Sequence, residues 1–383
     1  MITLRKSSRV YELLTFLSYV GEFPYSDLFL LGSKEAWRKL ILKLSQQQEY
    51  RFQDCAERIT CQLLKITGNG KTRTIRMTKA AVPLLERVNP DAAYYYTQTY
   101  LQYNPQGSAL RIDRAHRVAE AIAFAKWAGI ETSPYVLPQL QMITIKKTVP
   151  DEPSFYISNE LKYVGADDVN KTSFSRITGA LFYPGGCYSV YNSRDQLMEW
   201  NGKGESKLIV HLSEIARMNA AIDEVNSAIL LGASYRTADL TLRALDRVRK
   251  PANRFDKLYD SLHFIPLDAF GAKLLRLLTL PDWKEKILDL LFEEDDRSYG
   301  KGNFAYDAYE DDVYVLSFLD SDISRLVSFR DSTIGKQFKI KVICFPEQAE
   351  FLRGYLGYQI HLKTVTMDQV EYGLFSEGGE DDE

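Results

Sequence analysis

Apolar residues near the amino terminus recur with the period of a helix. Val10, Leu13, Leu14, Leu17 and Val20 fall on one face, the three- and four-residue spacing by which a helix buries a stripe and leaves the rest to water. Ser8 is placed to cap that helix and Gly21 to end it. Pro24 is placed to open a short second helix carrying Leu28, Phe29 and Leu31. Gly32 then supplies a turn, and Ser33 caps a third helix over Ser33–Gln47 with Trp37, Leu40, Ile41 and Leu44 inward. Its opposite face holds Glu35, Arg38, Lys39, Lys43 and Gln46. Two strand-like runs follow, Ile59 to Ile66 and Lys71 to Met77, joined through Gly68-Asn69-Gly70, whose residues tolerate the positive φ of a tight hairpin. Lys71, Arg73 and Arg76 ride on the returning run, and Thr78 caps a closing helix, KAAVPLLERV. Three helices and a hairpin predict a winged helix-turn-helix over residues 1–90.

Residues 91–150 read as a connector and a basic helix. The segment Asn89 to Gly107 has proline near both ends and five tyrosines in a polar setting. Such tyrosines can stack on bases, but packing the connector on its neighbours is the expectation here. Ser108 to Gly129 is helical in pattern and carries Arg111, Arg114 and Arg117 at three-residue intervals beside His116. That stripe suits phosphates or acidic side chains of the body equally.

Residues 151–375 change character. Ile177–Tyr183 and Cys187–Tyr191 flank Pro184-Gly185-Gly186, a hairpin signal. Helical SKLIVHLSEIARMNAA, the apolar strand SAILLG, amphipathic RTADLTLRALDRV, HFIPL, and helical GAKLLRLL and DWKEKILDLLF come next. The acidic stretch Glu293–Asp312 reads as a surface loop. VYVLSFL, FKIKVICF and IHLKTVTM are strand candidates separated by short helices at Ile323–Phe329 and Glu347–Tyr355. A hairpin followed by alternating strands and helices predicts a mixed α/β domain with a partly parallel sheet. Residues 376–383 are expected to be an acidic disordered tail. The whole is a multi-domain α/β protein.

Charge sharpens this division. Residues 1–90 hold 15 Lys and Arg against 8 Asp and Glu, a balance of +7, so the remainder carries −10 of the chain's −3. A basic module on an acidic body favours a polyanion bound at one end. A helix buried on one side and basic on the other, followed by a basic hairpin, suits a major groove and its flanking phosphates. No apolar run approaches the roughly 18 residues of a membrane span, and MITLRKSSRVYELL lacks the apolar core of a secretory signal. Cys55, Cys61, Cys187 and Cys344 show no paired spacing, as expected of reduced thiols in a cytoplasmic protein. No metal site, cofactor or membrane partner is expected.

A nuclease is the chemistry to test. A restriction-endonuclease-like fold needs an Asp at its hairpin and Glu-x-Lys on the next strand, to hold magnesium and activate water. The hairpin here reads Arg176-Ile177-Thr178-Gly179-Ala180 and returns as CYSVYNS, with no acid at either place. Glu205-Ser206-Lys207 matches the triplet, so Glu205 and Lys207 are the candidate catalytic residues, with Glu160, Asp167 and Asp168 as further acids. Gly68 to Thr72 lacks the first glycine of a phosphate loop. Tyr94 to Tyr96 lack the histidines of a nicking tyrosine site.

The order of motifs resembles the replication-relaxation family of plasmids and conjugative elements. IRMTKAAVPLLER, RIDRAHRVAEAIAFAKWAGIE, SRITGALFYPGGCYSVYN, SAILLGAS and HFIPLDAFGAKLLRLL carry the resemblance, across most of Ser8 to Leu278. It implies a winged helix fused to a catalytically silent nuclease-like domain, and a role in plasmid replication or DNA relaxation. The expectation is a non-enzymatic, double-stranded-DNA-binding accessory or regulatory protein. Arg38, Lys39, Lys43 and Gln46 would enter the major groove, Lys71, Arg73 and Arg76 would touch phosphates from the wing, and Arg111, Arg114 and Arg117 are further phosphate candidates. The alternatives are a divergent metal-dependent nuclease, and a scaffold or transcriptional regulator recruiting a relaxase, a replication initiator or an identical subunit.

Overall fold

Helical and alternating periodicities take up helices and strands in the computed structural model, which describes residues 1–6, 8–53, 57–100, 107–132, 149, 151–162, 173–248, 250–297, 305–333, 336, 338–357 and 360–376. These residues form two compact units, one built on Met1–Trp127 and the other on Ala128–Glu131 and the described part of Gln139–Glu383.

In the first unit, Ser8 caps helix α1 (Arg9–Val20) by accepting the Tyr11 amide, and Gly21 ends it at φ 70°. Leu13, Leu14, Leu17 and Val20 are buried. Strand β2 (Glu22–Pro24) follows, after β1 (Ile2–Leu4) at the start of the chain. The second helix is a 3-10 helix, Tyr25–Leu31. It buries Leu28 and Leu30 and exposes Phe29. Seven residues between Pro24 and a Gly32 at φ 115° leave room for little more than short, tight turns. Helix α2 spans Lys34–Leu44 with Trp37, Ile41 and Leu44 buried. It stops at Ser45, so Gln46 stands in the turn beyond the helix rather than on its polar face.

The first predicted wing run is two strands. Arg58–Cys61 (β4) pairs antiparallel with Gln48–Phe52 (β3), which lies parallel to β1. Leu64–Thr67 (β5) pairs antiparallel with Thr74–Met77 (β6), and β6 pairs with β2. Cys61, Leu63 and Leu64 are all buried, which breaks the alternation one continuous strand would need. The Leu63 backbone instead bonds to Leu44 and Thr78. Gly68 turns the β5–β6 hairpin at φ 75°, where an added Cβ would meet the Thr72 carbonyl.

Helices α3 (Val82–Val88) and α4 (Pro90–Thr99) complete this packing. Asn89 caps α4 and donates to the Tyr11 and Thr15 hydroxyls of α1 at 3.1 and 3.3 Å. The tyrosine-rich segment is thus a helix in the body of the unit, with Tyr95 and Tyr96 buried and Tyr94 exposed; residues 101–106 lie outside the described residues. Helix α5 (Ala109–Trp127) packs on β2 and the 3-10 helix.

The second unit contains two mixed sheets. Strands β7 (Ser154–Ile157), β8 (Gly179–Tyr183) and β9 (Gly186–Arg194) form an antiparallel meander; β10 (Ser227–Gly232) and β11 (Ser261–Pro266) add in parallel beyond β9. Helix α6 (Ser158–Leu161) follows β7, α7 (Lys203–Ala220) joins β9 to β10, and α8 (Tyr235–Leu245) joins β10 to β11. The runs Ala228–Leu231 and Leu262–Ile265 are buried, as strands covered on both faces must be. Helices α9 (Ala269–Leu277) and α10 (Trp283–Leu291) lead to a second sheet, β12 (Ala308–Glu310), β13 (Val313–Ser317), β14 (Lys339–Cys344) and β15 (His361–Thr364) in that order, the last three parallel. Helices α11 (Ile323–Thr333) and α12 (Pro346–Leu356) make the crossovers, and α13 (Met367–Ser376) follows. The stretch read as an acidic loop therefore contains a strand, β12, and a 3-10 turn at Glu294–Asp296. Residues 298–304, Asp167, Asp168 and the acidic tail over 377–383 lie outside the described residues.

Arg325 ties the start of β12 to the turn after β13 in this unit. Its guanidinium reaches Asp307 at 2.5 Å and Asp320 at 3.3 Å. Burial alone would favour loss of its charge, but Asp307, Asp320 and Asp322 outweigh that and hold it protonated. Asp322 in turn accepts the Leu262 amide at 3.2 Å.

Candidate functional site

The α2 cations are presented as the apolar spacing requires. With Trp37, Ile41 and Leu44 turned inward, Arg38, Lys39 and Lys43 are exposed. Arg38 approaches Glu35 at 3.8 Å, with half or more of each side chain in solvent, so the pair is worth little and leaves Arg38 available. The Trp37 indole donates to the Leu31 carbonyl at 2.7 Å and fixes α2 to the 3-10 helix.

That 3-10 helix also touches the turn Gly70–Thr72 of the β5–β6 hairpin. Lys71 is exposed in this turn. Arg73 lies over the Tyr25 ring, 5.4 Å from its centroid, which steers the side chain while leaving its charge in water. The exposed cations of α2 and of the hairpin are therefore carried on one shared support. Lys34 and Lys65, which the sequence pattern did not single out, are exposed on α2 and β5.

Other predicted cations are engaged. Arg76 stands directly across from Glu22 on β2 and from Lys65 on β5. Glu22 accepts from or pairs with His116 of α5 at 2.9 Å, and both side chains are largely buried. Burial would raise the Glu22 pKa, but His116, the Thr74 hydroxyl and the Arg76 charge together lower it below the usual 4.5. Arg76 thus adds its charge to the Glu22 environment and is half-buried, unlike the exposed Lys71 and Arg73. On α5, Arg117 pairs with Asp113 at 2.8 Å, and burial lowers the Arg114 pKa. Arg111 is exposed. The Asp113 partner of Arg117 is on α5 itself, one turn away, so it is neither a phosphate nor an acidic side chain of the body.

The Glu205–Lys207 pair does not form. Both lie on α7, not on a strand. Two residues apart on a helix diverge by about 200°, whereas the same spacing on a strand shares a face. Glu205 is fully buried and Lys207 exposed. Glu205 Oε1 stands 2.5 Å from Arg176 Nε, an ion pair by distance whose N–H is not aligned along the approach. Its other oxygen accepts the Asn201 amide at 3.0 Å. Beside it, Tyr191 and Tyr259 share a 2.6 Å hydroxyl hydrogen bond, and burial pushes both pKa values up. No spacing in the chain marks this buried cluster, because Arg176, Tyr191, Glu205 and Tyr259 come from four separate segments.

Among the described residues, no group of three or more His, Cys, Asp and Glu is arranged to hold a metal ion. No helix among them is long and apolar enough to cross a membrane. No family model, no curated protein and no solved structure matches the chain.

Proposed function

We propose that the chain is a double-stranded-DNA-binding accessory or regulatory protein of a plasmid or conjugative element, acting in replication, in DNA relaxation and transfer, or in their control. The observation that carries this is the joint presentation of exposed Arg38, Lys39 and Lys43 on α2 and Lys71 and Arg73 on the hairpin, over one 3-10 support. Helix, strand, two helices and a hairpin, with the first strand paired to the last, is the order of a winged helix-turn-helix. The β3–β4 hairpin would then be an insertion ahead of the wing. Helix α2 would enter the major groove, and the hairpin would hold flanking phosphates. The mobile-element assignment follows the motif order alone.

The second unit fits a silent nuclease-like domain. What supports this reading is a run of three antiparallel strands, a helix and a fourth strand parallel to the third. Strand β9 contains neither Glu nor Lys, and its central residues Ser189 and Tyr191 are both buried. Neither side chain supplies the carboxylate that magnesium requires.

Fluorescence anisotropy of the purified protein on duplex DNA, across a salt series with magnesium present, tests the proposal. Binding should weaken linearly on a log–log salt plot, by about 0.9 per phosphate neutralised, and the DNA should run intact on a gel. Absence of binding at moderate salt would overturn the DNA-binding proposal, and magnesium-dependent nicks would overturn the silent domain.

A further inference from the structure

The first unit contains a cavity of about 240 Å³ among α1, the 3-10 helix, α2 and α5. Its walls include Leu13, Phe16, Trp37 and Trp127, and its lining also includes the exposed Glu12 and Lys126. Neither of these charged residues enters an ion pair among the described residues. The volume exceeds the ~150 Å³ that suffices for benzene in an apolar protein cavity, so a ring with a short polar tail fits. The walls are mostly apolar and aromatic, with a small number of polar groups, which is the composition of a small-molecule site. An acid and a base beside the same aromatic slot are complementary to a ligand that carries both charges.

We propose that this cavity binds a small aromatic molecule bearing an ammonium and a carboxylate, the ring between Phe16, Trp37 and Trp127, the ammonium at Glu12 and the carboxylate at Lys126. Occupation would also alter duplex binding. Trp37 forms one wall and, through its 2.7 Å bond to the Leu31 carbonyl, sets α2 on its support. A ring pressed on that indole acts on the helix that carries Arg38, Lys39 and Lys43. The binding site stands without the DNA proposal; the coupling rests on it.

L-phenylalanine, 2-phenylethylamine and 3-phenylpropanoate, titrated separately into the full chain, test the site through tryptophan fluorescence, since Trp37 and Trp127 both line it. The expected result is a saturable change with L-phenylalanine, and affinity roughly two- to fivefold weaker for each singly charged probe, the worth of an exposed ion pair. Glu12→Gln should remove the advantage of L-phenylalanine over 3-phenylpropanoate. Lys126→Gln should remove its advantage over 2-phenylethylamine. Both side chains are exposed, so neither variant should disturb the fold. No saturable response, or equal responses to all three probes that neither substitution alters, would overturn the site. Anisotropy on duplex DNA with and without saturating L-phenylalanine then tests the coupling: an unchanged affinity with ligand bound overturns it. Failure of the protein to bind DNA at all overturns the coupling and the DNA proposal, but leaves the fluorescence result to decide the site.

Discussion

Helices α2 and α5 carry comparable basic patterns and put them to different uses. On α2, three inward apolar residues leave Arg38, Lys39 and Lys43 exposed, with a weak contact to Glu35. On α5, which packs on β2 and the 3-10 helix, Arg117 is bound to Asp113 and Arg114 is partly desolvated. The extreme case is Arg176, whose partner Glu205 has no exposed surface. A cation in a sequence is thus a free charge only where neither a packed neighbour nor an acid one turn away on its own helix engages it. Clustering by itself does not distinguish a binding surface from internal wiring.

The contrast can be sharpened first at its buried end. Glu205→Ala removes one partner of a buried pair and should cost stability near the lower end of about 3–5 kcal/mol, since Arg176 keeps some solvent. Lys207→Ala, two residues away and exposed, should stay within about 0.5 kcal/mol. Urea melts of the two variants measure the difference, and equal effects would contradict the internal role of Glu205. Gly68→Ala comes next. Its positive φ and the nearby Thr72 carbonyl should cost more than about 1 kcal/mol and weaken duplex binding by displacing Lys71.

The smallest effect concerns the Glu22–His116 contact and is read against pH. The Glu22 pKa is depressed in the folded chain, so its contribution is present above the ordinary value of 4.5 and lost as pH falls through the folded-state value. The melting-temperature gap between wild type and Glu22→Gln should be widest above that point and close below it. A gap that widens on acidification would contradict the assignment.

Much of the first unit was legible because its helices are amphipathic with caps at the right places: Ser8, Gly21 and the Trp37/Ile41/Leu44 stripe all mark what they appear to mark. Two boundaries were not. Gln46 follows the helix end set by Ser45, and Leu63 turns a predicted strand into two because it bonds to Leu44 and Thr78, far away in sequence. The alternation of strands and helices in the second unit was visible, but its division into two sheets depends on long-range pairing. The Glu205–Lys207 triplet misled because a three-residue pattern has no chemistry until its period is known. The charge environment of Arg76 and the cavity beside Trp37 arise only when separate elements pack, whereas the Arg117–Asp113 pair is a one-turn contact within α5.

The most direct measurement compares salt slopes of duplex binding for two triple variants, Arg38/Lys39/Lys43→Gln and Arg111/Arg114/Arg117→Gln. The α2 variant should lose about 1 from the slope for each phosphate contact removed. The α5 variant, provided its circular dichroism spectrum remains native, should keep nearly the wild-type slope. A wild-type slope in the α2 variant with a collapsed slope in a folded α5 variant would place the DNA on the other helix and contradict the account.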